Sequence, residues 1–284
     1  MVVDNPWESG ENARRYAQFA GEHALYRRTS EDLAALASLA KDARVVDLAC
    51  GAGATTKALL ALLGPRGQVV AVDAAEAMLA QARSLIGDDR VRWLRSPAER
   101  LDRCGIGAVD AVVCNSAIWQ TSLPATAVTV AQVLRPAGRF VFNIGARMLA
   151  DHPDADQAPA PLIQLMETIA ARDYGWCTPP ARAEASGPVG SSQTPLSEAW
   201  IRRLLRDKGF RVGYVREFEY NNTLQDQRAW LSIPIFTVRR FPGLSYERRM
   251  ALLDEAYRDL SAEPAAAATT VRWIAFVSWP DIGA

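Results

Sequence analysis

The chain predicts an α/β fold built on an open, doubly wound parallel sheet, and three observations carry that prediction. Apolar, β-branched runs alternate with helical stretches in the way that lays helices on both faces of such a sheet. The first run, Val45-Val46-Asp47-Leu48, breaks into a glycine turn, Gly51-Ala52-Gly53, that opens a helix. The next run ends on an acid, Asp73, at the distance where this kind of sheet sets a carboxylate against a ribose hydroxyl.

Taken in order, the runs predict strands at Arg44–Leu48, Gln68–Asp73, Val91–Arg95, Val109–Cys114 and Arg139–Ile144. Helices are predicted between them at Gly53–Leu63, Ala75–Ile86 and Leu123–Leu134. Further on, Ser197–Asp207 reads as a helix with a serine cap and Phe210–Glu219 as a strand, and Val271–Ser278 alternates enough to close the sheet. Two segments stand outside the alternation. Residues 146–195 are rich in Pro, Ala and Gly, and residues 221–269 contain a predicted helix over Ser245–Leu260. Both follow strands at the binding end of the sheet, where extra segments build lids. The expected division is therefore an N-terminal helical cover (1–40), a nucleoside-binding core (41–145), a lid insertion (146–195), a core helix and sixth strand (196–220), a second lid insertion (221–269) and a closing strand (270–284).

The glycine turn narrows the cofactor. A pyrophosphate fingerprint needs a third small residue, Gly or Ala, for close packing of helix on strand. Here the run is Gly51-Ala52-Gly53-Ala54-Thr55-Thr56, with a β-branched residue at that position. Asp47, at the carboxyl end of the first strand, would repel a pyrophosphate but attract the ammonium of an amino acid. S-adenosylmethionine carries both an amino acid and a ribose.

Five ordered segments then resemble the class I S-adenosylmethionine-dependent methyltransferases, in the small-molecule branch that includes ubiquinone and menaquinone biosynthesis. They are Asp47-Leu48-Ala49-Cys50-Gly51-Ala52-Gly53, Val72-Asp73-Ala74, Ser96-Pro97-Ala98-Glu99-Arg100-Leu101, Val109 to Ala117, and Val133-Leu134-Arg135-Pro136-Ala137-Gly138-Arg139-Phe140-Val141-Phe142. The resemblance implies a Rossmann-like seven-stranded sheet whose last strand is antiparallel and inserted between the fifth and sixth, with helical lid insertions. It also implies a cofactor site formed by Tyr16, Asp47, Ala49, Gly51, Gly53, Asp73, Ala74, Met78, Ala98, Glu99 and Asn115. The sequence departs from the family at Ala49 and Ala137, which replace glycines, and at Pro97, where an Asp often reaches the adenine.

Methyl transfer from a sulfonium is an in-line displacement that depends on positioning and water exclusion. A hydroxyl or acidic-carbon acceptor also needs a base. The chain has two histidines, His23 and His152, and both lie in segments that could close over the site. For an apolar pocket wall the candidates are Trp119 with Gln120, Tyr174 and Trp176 in the first insertion, and Trp230 in the second.

The segment Cys114-Asn115-Ser116-Ala117-Ile118-Trp119 lacks the Pro-Pro-aromatic pattern of base methylases. Thirty-two basic residues balance 32 acidic ones, so no positive field favours nucleic acid. The expected acceptor is a small, largely apolar metabolite, with oxygen, nitrogen and carbon all open. Four cysteines without regular spacing predict reduced thiols and no metal site. No signal-like or membrane-length apolar run is present, which predicts a cytoplasmic protein, monomeric or homodimeric. Two other readings keep the same sheet: an NAD-dependent oxidoreductase, and a non-catalytic cofactor-binding protein.

Overall fold

The computed structural model describes residues 5–177, 196–263, 265 and 267–281. Valine-rich runs form the centre of the sheet: β1 (Arg44–Leu48), β2 (Gln68–Asp73), β3 (Val91–Arg95) and β4 (Val109–Cys114). Val45, Val46 and Leu48 are fully buried because helices cover both faces of the parallel part. With β5 (Leu134–Gly145), β6 (Phe210–Asn222) and β7 (Thr269–Pro280), the strand order is β3-β2-β1-β4-β5-β7-β6. Strand β7 runs antiparallel to both of its neighbours, as the family resemblance implied.

The first four strands have the predicted limits, and the other three are longer. Strand β5 starts at Leu134 because the turn before Arg139 is absorbed as an irregularity opposite Val109 and Ala111. Strands β6 and β7 pair from Phe210↔Pro280 to Asn222↔Thr269, carrying β6 past its predicted end at Glu219.

Helices α1 (Gly10–Glu22) and α2 (Ala24–Leu36) precede the sheet. Ala13 of α1 packs on Ala75 and Met78, so this helix lies over the end of β2. Leu33 and Leu36 of α2 join Val45 in the core on one sheet face. Helices α3 (Ala54–Leu62), α4 (Glu76–Leu85) and α5 (Leu123–Val133) connect the parallel strands, and α7 (Glu198–Asp207) precedes β6. Serine caps set two later starts. Ser197 Oγ accepts from the Trp200 amide at α7, and Ser245 Oγ accepts from the Arg248 amide at α10 (Tyr246–Leu260).

The sequence treats the two insertions as separate lids, but in the structure they share one core. Leu162, Met166 and Ile169 of α6 (Pro161–Tyr174) pack with Leu224 and Leu231 of α8 (Leu224–Leu231), with Phe241, and with Leu252 and Leu253 of α10. The short α9 (Pro234–Val238) completes this helical layer. Residues 178–195 of the first insertion lie outside the described residues. Among the described residues, no helix is long and apolar enough to cross a membrane.

Candidate active site

The carboxyl ends of β1, β2, β4 and β5 open into a cavity of about 1160 Å³, roofed by α1, α8 and α9. Small-molecule sites commonly span roughly 300–1,000 Å³, so this volume accommodates a nucleoside cofactor together with an acceptor. At its base the loop after β1 turns sharply: Ala49, Gly51 and Gly53 have φ of 56°, 53° and 88°. Ala49 therefore takes a left-handed backbone at a position where the resembling family often has glycine, at a cost of roughly 1–2 kcal/mol. A Cβ added at Gly51 would lie 3.4 Å from the Tyr16 ring, so the bare backbone leaves the space over the loop open.

Asp73 ties this loop to β2. Its Oδ2 accepts from the Gly51 amide at 2.8 Å and its Oδ1 from the Ala75 amide at 2.9 Å. Each oxygen keeps a further lone-pair site, and the carboxylate lines the cavity, which gives the pair of acceptors that the two hydroxyls of a ribose diol can donate to. Burial raises the Asp73 pKa, and the two amides oppose that rise.

Across the cavity, the turn after β4 is fixed by a chain of neutral hydrogen bonds. Ser116, at φ 56°, donates its amide to Asn143 Oδ1 at 2.6 Å. Asn143 donates to Asn115 Oδ1 at 2.8 Å, and Asn115 Nδ2 reaches Ser30 Oγ at 3.0 Å. Asn143 is a polar residue inside a core strand, 3% exposed, and its amide satisfies both sides of the turn.

The roof is aromatic. Trp230 of α8 stacks on Tyr26 (5.6 Å) and Phe236 (3.7 Å) and meets Tyr16 and Phe19 edge-on. Trp7 donates its indole N–H to Gln120 at 2.8 Å, and Glu8 pairs with Arg95 at 2.7 Å, so residues before α1 are pinned across the opening.

Of the residues expected from the sequence, Tyr16, Ala49, Gly51, Asp73, Ala74, Met78, Ala98, Glu99 and Asn115 line this one cavity together with Trp119, Gln120 and Trp230. Six others do not. Gly53 lies behind the loop, where an added Cβ would strike Ile86 Cδ1 at 2.6 Å. Asp47 is 1% exposed and accepts from Thr56 Oγ1 at 2.5 Å, beneath the wall rather than on it.

His23 closes α1, stacks on Phe19 and holds Asp226 Oδ1 at 2.6 Å, joining the N-terminal cover to the capping box of α8. His152 faces Glu217 at 3.4 Å and lines a separate, smaller hollow beside Glu198 and Arg202. Both rings, the two expected as candidate bases, are engaged with carboxylates and lie outside the cavity lining. Tyr174 is exposed beneath Arg248, and Trp176 packs on Phe241 inside the helical layer, so neither forms the pocket wall. The sequence reading missed Trp7, Phe19, Tyr26 and Phe236, which line the cavity. Tyr16, Phe19 and Tyr26 at near-helical spacing were the available signal. Among the described residues, no cluster of His, Cys, Asp and Glu could hold a metal ion.

Burial pushes the Asp47 carboxyl up to about 7, against the opposing hydrogen bond from Thr56. A carboxyl whose folded pKa exceeds its unfolded value near 3.8 favours the folded state at low pH and loses that contribution as pH rises through about 7. Raising pH from 4 to 7 should therefore remove up to about 4 kcal/mol through this group. Denaturation curves at several pH values for the wild type and Asp47→Asn check this: the variant should show the shallower decline over that window. Parallel curves would remove Asp47 as the source.

Residues 45–138 match the family model described as a methyltransferase domain. The chain is 32% identical over 136 residues to a malonyl-[acyl-carrier protein] O-methyltransferase of Legionella pneumophila, covering 47% of this chain and 48% of that protein. It is 30% identical over 176 residues to a trans-aconitate 2-methyltransferase of Variovorax paradoxus, covering 57% and 60%. The matches thus span about half the length of these curated relatives. The fold also resembles a geranyl diphosphate methyltransferase solved in complex with SAM, with a TM-score of 0.52 at 18% identity over 98% of this chain and 93% of that one. The five ordered segments, the strand order and the methyltransferase-domain match over residues 45–138 agree with one another.

Proposed function

We propose that the protein transfers a methyl group from S-adenosylmethionine to a small, largely apolar metabolite by in-line displacement. The observation that carries this reading is Asp73, held by two backbone amides at the base of an aromatic-roofed cavity with room for two molecules. Bound there, S-adenosylmethionine supplies an activated methyl group. The chain's own residues do the rest. Asp73 receives the ribose hydroxyls, the bare loop at Ala49 and Gly51 admits the amino-acid part, and Met78 and Ala98 flank the base. Asp47 acts from beneath the loop through its charge on the ammonium.

Tyr16, Tyr26 and Trp230 present ring faces and edges that exclude water and suit a sulfonium. The Asn143–Ser116 bond fixes the turn that delivers the acceptor side of the displacement. The acceptor is proposed to be a specialised metabolite, methylated in the cytoplasm by a monomer or homodimer. Thermal shift tests the reading, because a ligand that binds only the native state raises apparent stability by about 2.7 kcal/mol at a hundredfold excess over Kd. S-adenosylhomocysteine should raise the midpoint and NADH should leave it unchanged. The reverse order would favour the oxidoreductase.

A further inference from the structure

We infer that the acceptor carries a carboxylate and that its oxygen is the atom methylated, giving a methyl ester. The inference rests on the methyl-donor reading above and specifies the chemical class of substrate. Three observations carry it.

The first is that, among the described residues, no usable base lines the wall. Transfer to an alcohol or an acidic carbon requires removal of a proton. Among the described residues, the ionisable side chains lining the cavity other than arginine are Tyr16, Tyr26, Asp73, Glu99 and Asp154. Burial pushes both phenols up, Tyr26 to about 12, so neither is an effective base near neutrality. Asp73 is committed at the ribose end. Glu99 accepts from the Ser122 amide at 2.7 Å on the donor side. Asp154, 4% exposed, accepts from Arg272 at 3.0 and 3.1 Å and from Gln157. Both histidines are engaged elsewhere. A carboxylate is already ionised at neutral pH and needs no base.

The second is the charge pattern. Acids face the donor end, at Asp73 and Glu99, whereas Arg147, Arg240 and Arg272 line the opposite side. Arg240 is paired with Glu167 and Arg272 with Asp154. Arg147 has no carboxylate partner among the described residues. Its terminal nitrogens donate to the carbonyls of Ala158 at 3.1 Å and Gln157 at 2.5 Å. Of the five N–H donors of a guanidinium, three remain for a ligand.

The third is position. Strands β4 and β5 are paired up to Cys114↔Phe142, so the Asn115–Ser116 turn and the Gly145–Arg147 segment leave the sheet side by side on one rim. Phe19, Leu25, Ile163, Leu231 and Phe236 supply apolar wall for the rest of the molecule.

In the reaction, a lone pair on the carboxylate oxygen forms the new O–CH₃ bond while the S–CH₃ bond of the sulfonium donor breaks. The bonding pair stays on sulfur, leaving the neutral thioether S-adenosylhomocysteine, and no proton moves. An anion and a cation give two neutral products, a change that water-poor aromatic walls favour.

The test uses the full chain, methyl-labelled S-adenosylmethionine, and matched probes: octanoate and phenylacetate against octanol, phenethylamine and phenylacetamide. Mild alkali releases an ester methyl as volatile methanol and leaves ethers, amines and C-methyl groups intact. Label should enter the acids, be released by alkali, and, with the methyl donor saturating at every pH, accumulate at a rate flat between pH 6 and 9. Arg147→Gln should raise the KM for the acid by about 10- to 100-fold, the loss of a charge-assisted contact, with the Kd for S-adenosylhomocysteine within about twofold. Arg147→Lys should recover part of that loss. If Arg147 only ties down the 157–158 loop, the variants lower Tm without changing the KM for the acid, and the assignment of Arg147 falls. Alkali-stable label in the alcohol or amine, or no label in either acid while S-adenosylhomocysteine binds, overturns the carboxylate inference and leaves the methyl-donor reading standing. Failure to bind S-adenosylhomocysteine overturns that reading itself.

Discussion

Replacing Asp73 by alanine is expected to weaken S-adenosylhomocysteine binding by about 30-fold or more in calorimetry. Each charge-assisted hydrogen bond is worth about 1.5–3 kcal/mol, and a ribose diol offers two. The variant also frees the Gly51 and Ala75 amides, so the loop that admits the cofactor loses its tie to β2. Asp73→Asn keeps the size of the side chain and one acceptor oxygen, and its loss should fall between wild type and alanine, near 10-fold. Unchanged affinity in the alanine variant would remove Asp73 from the cofactor site.

Trp230→Ala should have the second large effect, on stability and turnover together. Its ring meets Tyr16, Phe19, Tyr26 and Phe236, which belong to segments far apart in sequence. Aromatic pairs contribute about 0.5–1.5 kcal/mol each beyond area burial, and a set of four sharing one ring loses about 3 kcal/mol. For a domain of this size that corresponds to a fall in Tm of about 5–10 °C. Turnover should fall with it, because the opened roof admits water to the displacement. Trp176→Ala is the control: it packs on Phe241 within the helical layer, so it should lower Tm while leaving cofactor affinity unchanged. Equal loss of cofactor affinity in both variants would mean that the roof acts only through global stability.

The centre of the sheet was legible because parallel strands covered on both faces leave runs such as Val69-Val70-Ala71-Val72. Asp73 was legible for a related reason, since the strand ends on it and the glycine turn lies beside it. The ends of β6 and β7 were hidden. Their antiparallel pairing continues through Asn221↔Thr270 and Asn222↔Thr269, short polar residues that read in sequence as the start of a loop.

The cavity wall was legible only where it is local. Asn115, Trp119 and Gln120 follow β4 directly, whereas Tyr26, Trp230 and Phe236 meet only once α8 docks on α1. Aromatic residues in an insertion carry no mark of which face they will take, which is why Trp176 and Tyr174 seemed equivalent to Trp230. The surroundings of the histidines were hidden for the same reason: His23 pairs with Asp226 and His152 with Glu217, partners that no local spacing announces.

The placement of β7 has a consequence for biosynthesis. Strand β6 finds its ladder partner only in β7, and β5 meets β7 along its other edge. A nascent chain that has emerged as far as β6 therefore holds β5 with one open edge and β6 with no lateral neighbour. Both wait until residues 269–280 clear the ribosome and slide between them. The far third of the sheet must form after translation has passed it, by a contact of high sequence separation, and until then it is the part of the molecule most exposed to mispairing with another copy.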